Sequence, residues 1–242
     1  MRRQGAGGEA EVLLDPASLD NDGLTAIDWF APDATGKHIA FGLSRAGDEM
    51  SILHILDAES GNWLTEEIPG KAEFCGWRGS TGFVYGILTD PNDAYSRVFR
   101  HHTIGRHPRH DEMLLAQESP SRIPDLRLHD GGRWAVAVHF EGWSKQDILA
   151  APTSRLLKEG ESALQPVAIG YEARFEPQFV HGDALYMIST LGNSSGALWK
   201  VDLWRPDREH WKQIYTPAEG SVLQSASYCR GELVLTVERD AA

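Results

Sequence analysis

The chain has 242 residues, 41% of them hydrophobic and 24% charged, and carries a net charge of −12 at neutral pH. That size and apolar share suit a globular protein with a sizeable core, while the acidic balance argues against nucleic acid or an anionic membrane as partner, since both need a basic face. No apolar run approaches the roughly 18 residues of a membrane span, and the two cysteines, Cys75 and Cys229, supply no disulfide or metal framework and fit a reducing, cytoplasmic setting.

Residues 1–10, M-R-R-Q-G-A-G-G-E-A, have no apolar stretch behind their arginines; they are no secretory signal and are expected to be disordered, with the folded domain over 11–242. From Glu11, E-V-L-L-D-P predicts a lone strand. Four similar units follow. The first reads I-D-W-F-A-P-D, H-I-A-F-G-L-S, S-I-L-H-I-L-D and W-L-T-E-E-I, and Asp57 and Gly61 are placed to close its last hairpin. The second reads E-F-C-G-W-R-G-S, G-F-V-Y-G-I-L, R-V-F-R-H-H-T and E-M-L-L-A-Q. The third reads D-L-R-L-H-D-G-G, R-W-A-V-A-V-H-F, D-I-L-A-A-P-T and P-V-A-I-G. The fourth reads F-E-P-Q-F-V-H-G, D-A-L-Y-M-I-S-T, A-L-W-K-V-D-L and K-Q-I-Y-T. Two last strands, S-A-S-Y-C-R-G and E-L-V-L-T-V-E, begin a fifth, and helical spacing is nearly absent.

The second strands start at His38, Gly82, Arg133, Asp183 and Glu232, at intervals of 44, 51, 50 and 49 residues. Four short strands repeated at that period are the mark of a β-propeller, whose twisted sheets cannot bury both faces alone and so stack on one another. The expectation is an all-β fold: four complete four-stranded antiparallel blades plus a partial one. An incomplete ring would expose strand edges, so the chain reads as a piece of a larger propeller, and whether its ring closes is left open.

Three clusters invite chemistry. His101-His102-Thr103-Ile104-Gly105-Arg106-His107-Pro108-Arg109-His110-Asp111 is dense in metal-ligand types, but adjacent strand residues point to opposite faces and two arginines oppose a cation. A solvated hairpin loop is expected there, and no metal. Gly192-Asn193-Ser194-Ser195-Gly196 fits the G-x-S-x-G of a nucleophile elbow, yet an elbow needs a helix after its serine and A-L-W-K-V-D-L alternates as a strand. A turn is expected, with no catalytic residue. No glycine-rich phosphate loop occurs, so no cofactor is expected.

The opening E-V-L-L-D-P-A-S-L-D-N-D-G-L-T-A-I and G-K-H-I-A-F-G-L-S-R-A-G-D-E resemble the propeller of the prolyl oligopeptidase family, with its L-D-P-N strand end, D-G-T-x-A-L turn and A-Y-G-L-S-x-x-G strand. The likeness continues through K-A-E-F-C-G-W, R-V-F-R-H-H-T-I-G and L-H-D-G-G-R-W-A-V-A-V. In that family a seven-bladed propeller caps an α/β-hydrolase domain that cleaves short peptides after proline, and admits oligopeptides while excluding folded proteins. The resemblance implies a fragment of a seven-bladed propeller: a non-catalytic, substrate-gating portion of a serine peptidase, inactive alone, with a hydrolase domain and an oligopeptide as partners. It also places Ile123, Phe140 and Trp143 toward substrate. Here the sequence departs from the family: Ile123 replaces a Met, Ala72 a Phe, and Phe140-Glu141-Gly142-Trp143 an R-E-G-C loop. The rival expectation is a stand-alone propeller that binds a protein or peptide as a scaffold.

Overall fold

In the computed structural model, residues 1–3, 5 and 7–239 are described, and the chain divides into two compact units, Met1–Met113 and Leu114–Ala242. In the first unit a short β1 (Arg2–Arg3) pairs with β2 (Ala10–Glu11). One sheet then follows in the order β3 (Thr25–Pro32), β4 (His38–Arg45), β5 (Ile52–Asp57) and β6 (Trp63–Ile68). The next holds β7 (Glu73–Arg78), β8 (Gly82–Leu88), β9 (Arg97–Thr103) and β10 (Glu112–Ala116), the last running across the boundary at Met113.

The second unit repeats the plan with β11 (Ile123–His129), β12 (Trp134–Glu141), β13 (Lys145–Pro152) and β14 (Gln165–Ala168). A further sheet holds β15 (Phe175–His181), β16 (Ala184–Ser189), β17 (Ala197–Asp202) and β18 (Lys212–Tyr215). The hairpin β19 (Ser221–Cys229) and β20 (Glu232–Arg239) comes last. The four complete repeats and the partial fifth thus appear as expected, each strand beside its sequence neighbour.

Turn chemistry fixes the hairpins. Asp57 accepts the Ser60 N–H at 2.8 Å, and Gly61 takes φ 72°, a backbone region open to glycine at little steric cost. Packing joins sheet to sheet inside each unit. Ala40, Leu53 and Ile55 meet Phe83 and Tyr85 in the first, and Val136, Val138 and Ile148 meet Phe175, Met187 and Trp199 in the second. Polar clasps secure the same seams: Trp77 Nε1 donates to the Ala31 carbonyl at 3.0 Å, and Asp183 accepts from Trp134 Nε1 at 3.1 Å and from Arg133 at 2.8 Å.

The strand expected over Glu11–Pro16 is confined to β2, which ends at Glu11; Asp15 instead accepts the Ala17 N–H and starts a 3-10 turn, Pro16–Ser18. Leu13 and Leu14 still bury, packing on Phe41, Leu43 and Leu56, so their apolar character serves the core without a ladder. Within 1–10, β1 pairs with the start of β2, while Gln4 and Ala6 lie outside the described residues. A helix, α1 (Thr153–Glu159), and a 3-10 turn (Gly160–Ala163) stand between β13 and β14, where only strands and turns were expected. α1 is anchored by Leu156, which is fully buried.

One irregularity recurs. The pairing of first with second strand shifts register between Ile27 and Trp29, Phe74 and Gly76, Pro177 and Phe179, and Leu223 and Ser225. Each shift inserts one residue and so breaks the alternation of faces. The pairing of β11 with β12 has no such shift and runs unbroken from Ile123↔Phe140 to His129↔Trp134.

Candidate functional site

The unbroken β11 gives the second unit its main surface feature. With period-2 alternation, Ile123, Asp125, Arg127 and His129 fall on one face, opposite Phe140, Val138, Val136 and Trp134 of β12. Pro124 and Leu126 turn to the other side and are buried. This strip lines a cavity of about 1020 Å³ together with Arg174, Phe175, Glu176 and Pro177. Seven residues at the strand rise of ~3.3 Å give the strip a length near 20 Å, enough for about six extended residues of a peptide.

All three residues expected to face substrate line this cavity. Ile123 is 45% exposed and Trp143 is 96% exposed, whereas Phe140 is half-buried and packs against the second unit's core. Trp143 stands in the β12–β13 hairpin, where Gly142 at φ 73° makes the turn. Ile123 and Phe140 are direct cross-strand partners, so an aliphatic and an aromatic side chain meet at one end of the strip. Ala72, the other position that departs from the family pattern, is buried in the first unit's core and presents no side chain to a ligand.

Charge along the strip is balanced. Asp125 accepts from Arg127 Nε at 3.1 Å, and Glu176 pairs with Arg174. Burial pushes the His129 imidazole down to about 4, with the Arg127 charge adding to the effect and Asp125 opposing it, so the ring is neutral near pH 7. Beside the lining in sequence, Lys145 pairs with Glu141 at 2.8 Å and Arg122 with Asp147 at 3.3 Å. The lining therefore combines an apolar end with neutralised ion pairs, a surface suited to a main chain more than to a free charge.

Sequence reasoning missed Gln146. It lies in register across the sheet from Phe140, lines the same cavity and is only 5% exposed, and its Oε1 accepts the Phe175 N–H at 2.7 Å. The available signal was polarity out of place: Gln146 and Asp147 are two buried polar residues at the head of a strand that otherwise reads as core.

The histidine-rich stretch of the first unit is not a solvated loop throughout. His102 is fully buried on β9, while His101 faces the other way, as strand alternation requires. His102 Nδ1 meets Asp111 at 2.8 Å and its Nε2 approaches Glu66 at 3.5 Å. Tyr85 donates to Asp111 at 2.8 Å, and the Gly105 N–H to Glu66 at 2.6 Å. Burial alone would favour the neutral ring, but the bonds and charges of Asp111 and Glu66 outweigh it and raise His102 to about 9. Burial likewise pushes the Glu66 carboxyl up, yet His102 and the Gly105 N–H leave it lowered. The two carboxylates grip opposite edges of the ring, so the cluster is an ion-paired clasp; among the described residues no group of three His, Cys, Asp or Glu is placed to hold a metal ion.

Ser194 sits exposed in the turn between β16 and β17. The turn is closed by the Gly196 N–H donating to the Asn193 carbonyl at 3.0 Å, with Gly192 at φ 75° and Gly196 at φ 77°. A strand, not a helix, follows, so the geometry of an elbow is absent.

Comparison with known proteins matches the whole chain, residues 1–242, to the family model for the prolyl oligopeptidase N-terminal β-propeller domain. The chain is 23% identical over 224 residues to a prolyl endopeptidase of Elizabethkingia meningoseptica, covering 88% of this chain and 31% of that protein. It is 22% identical over 249 residues to the Elizabethkingia miricola prolyl endopeptidase, covering 99% and 34%. Among solved structures it superposes on one from a study of two prolyl endopeptidases, with a TM-score of 0.88, 28% identity, and coverage of 99% of this chain and 36% of the other. The apo prolyl oligopeptidase B of Galerina marginata shares the fold at a TM-score of 0.78 and 17% identity, with coverage of 93% and 34%. The chain thus spans about a third of the length of these relatives.

Proposed function

The chain belongs to the prolyl oligopeptidase family, matching its N-terminal β-propeller, and we propose that it is the substrate-gating, non-catalytic part of a cytoplasmic serine peptidase that cleaves short peptides after proline. Its partners in this reading are an α/β-hydrolase catalytic domain and an oligopeptide. The observation that carries the proposal is the convergence of Ile123, Phe140 and Trp143 on one cavity long enough for an extended peptide. Chemistry follows from the lining. Phe140 and Trp143 offer flat apolar surface to a side chain, and the Asp125–Arg127 and Arg174–Glu176 pairs offer polarity without net charge. None of these groups is asked to attack a bond; they bind and orient.

Calorimetric titration of the chain with the blocked peptide Ac-Ala-Phe-Ala-Gly-Pro-Ala-NH2 tests the proposal. Binding is expected, and Trp143→Ala and Ile123→Ala, both at exposed positions, are each expected to weaken it about 5- to 10-fold, the scale of losing an aromatic or aliphatic anchor. Binding untouched by either substitution overturns the assignment. Any Gly-Pro hydrolysis by the protein is expected to survive Ser194→Ala unchanged; its loss would move catalysis into the propeller and sink the reading.

A further inference from the structure

Gln146 completes a row that crosses three strands, Ile123 on β11, Phe140 on β12 and Gln146 on β13, at the end of the cavity beneath the Trp143 turn. Its carboxamide is oriented without ambiguity. The Phe175 N–H can be satisfied only by an acceptor, so the atom 2.7 Å from it is the oxygen, and the nitrogen takes the other place. That Nε2 makes no hydrogen bond to any described residue and is not one of the buried unpartnered atoms, so the small exposed part of Gln146 is its donor, open to the cavity. A donor held in place through the Phe175 N–H and facing the cavity with no protein partner is free to meet an acceptor that a ligand brings.

We propose that Gln146 determines specificity in this cavity by donating from Nε2 to a main-chain carbonyl of the bound peptide, next to the residue whose side chain lies on Phe140 and Trp143. The inference rests on the cavity being a peptide site and adds what part of the peptide is read. The strip's charges are already paired, so an incoming charge gains little from it, whereas every residue of a peptide carries a carbonyl. Gln146 therefore sets the register of the chain and leaves its sequence to the aromatic surface. It acts as a clamp in two directions, with its oxygen on the neighbouring sheet through Phe175 and its nitrogen on the ligand.

Gln146→Glu separates the two roles. A carboxylate keeps an acceptor for the Phe175 N–H but has no donor, so the urea unfolding midpoint is expected to hold while affinity for Ac-Ala-Phe-Ala-Gly-Pro-Ala-NH2 falls about tenfold. Gln146→Leu loses both functions and is expected to lower midpoint and affinity together. A second series replaces single peptide bonds of the ligand by esters, whose carbonyls are weaker acceptors. One position is expected to weaken binding to the unaltered chain and to have no effect with Gln146→Glu. Peptide binding by Gln146→Glu within twofold of the unaltered chain, or an ester series with no sensitive position, overturns the role of Gln146 and leaves the peptide site standing. Failure of the unaltered chain to bind the peptide overturns the peptide site itself, and the role of Gln146 with it.

Discussion

At His102 a buried imidazolium between Asp111 and Glu66 links stability to pH. Its folded pKa, about 9, lies above the unfolded value of 6.5, so the clasp contributes fully below pH ~6.5 and is lost as pH rises through about 9. Glu66 has the opposite sign: its lowered carboxyl contributes above its ordinary range and loses that contribution as pH falls. Urea unfolding is expected to show stability falling between pH 6.5 and 9, by up to about 3 kcal/mol from His102, and His102→Gln is expected to flatten that slope. An unchanged slope in the variant would remove His102 as its source. Gly42 gives a steric counterpart. A Cβ there would collide with the Trp29 indole, so Gly42→Ala is expected to cost about 1–3 kcal/mol by overpacking, read as a lowered unfolding midpoint. Neither effect is visible in the chain. H-H within R-V-F-R-H-H-T tells that one imidazole points inward, but not that Glu66, thirty-six residues earlier, waits for it.

Among the elements, strand existence was legible because alternation and turn residues are local properties, and β4, β8, β12, β16 and β20 fall where the repeat put them. α1 was not legible. Seven residues make two turns, and T-S-R-L-L-K-E offers too few apolar positions to reveal a helical period. Its hold on the fold is tertiary: Leu156→Ala is expected to destabilise by about 2–5 kcal/mol in denaturant unfolding, because the buried side chain has no room to relax. The bulges are a second feature that composition hides. Four first strands carry one and β11 does not, and the surrounding sequences give no sign of the difference. That difference positions the site, since one inserted residue would turn Asp125, Arg127 and His129 off the cavity face.

For the molecule as a whole, repetition of a fifty-residue sheet and the family's opening motif set the fold and the proposed gating role together. A gate is distinguished by what it refuses. The blocked hexapeptide is expected to bind, and the same sequence displayed in a loop of a stable folded protein is expected not to compete with it in titration; equal competition would argue for an open scaffold surface. The sequence by itself determined the strand rhythm, the four full repeats and the partial fifth, the family and the identity of Ile123, Phe140 and Trp143 as departures from its pattern, because period, turn chemistry and motif are written along the chain. The tertiary structure alone decided that those three share one cavity, that Gln146 stands in their row, that His102 is clasped, and that β11 runs without a bulge. These are matters of register and cross-sheet contact, set by which distant residues pack together, and local spacing carries no record of them.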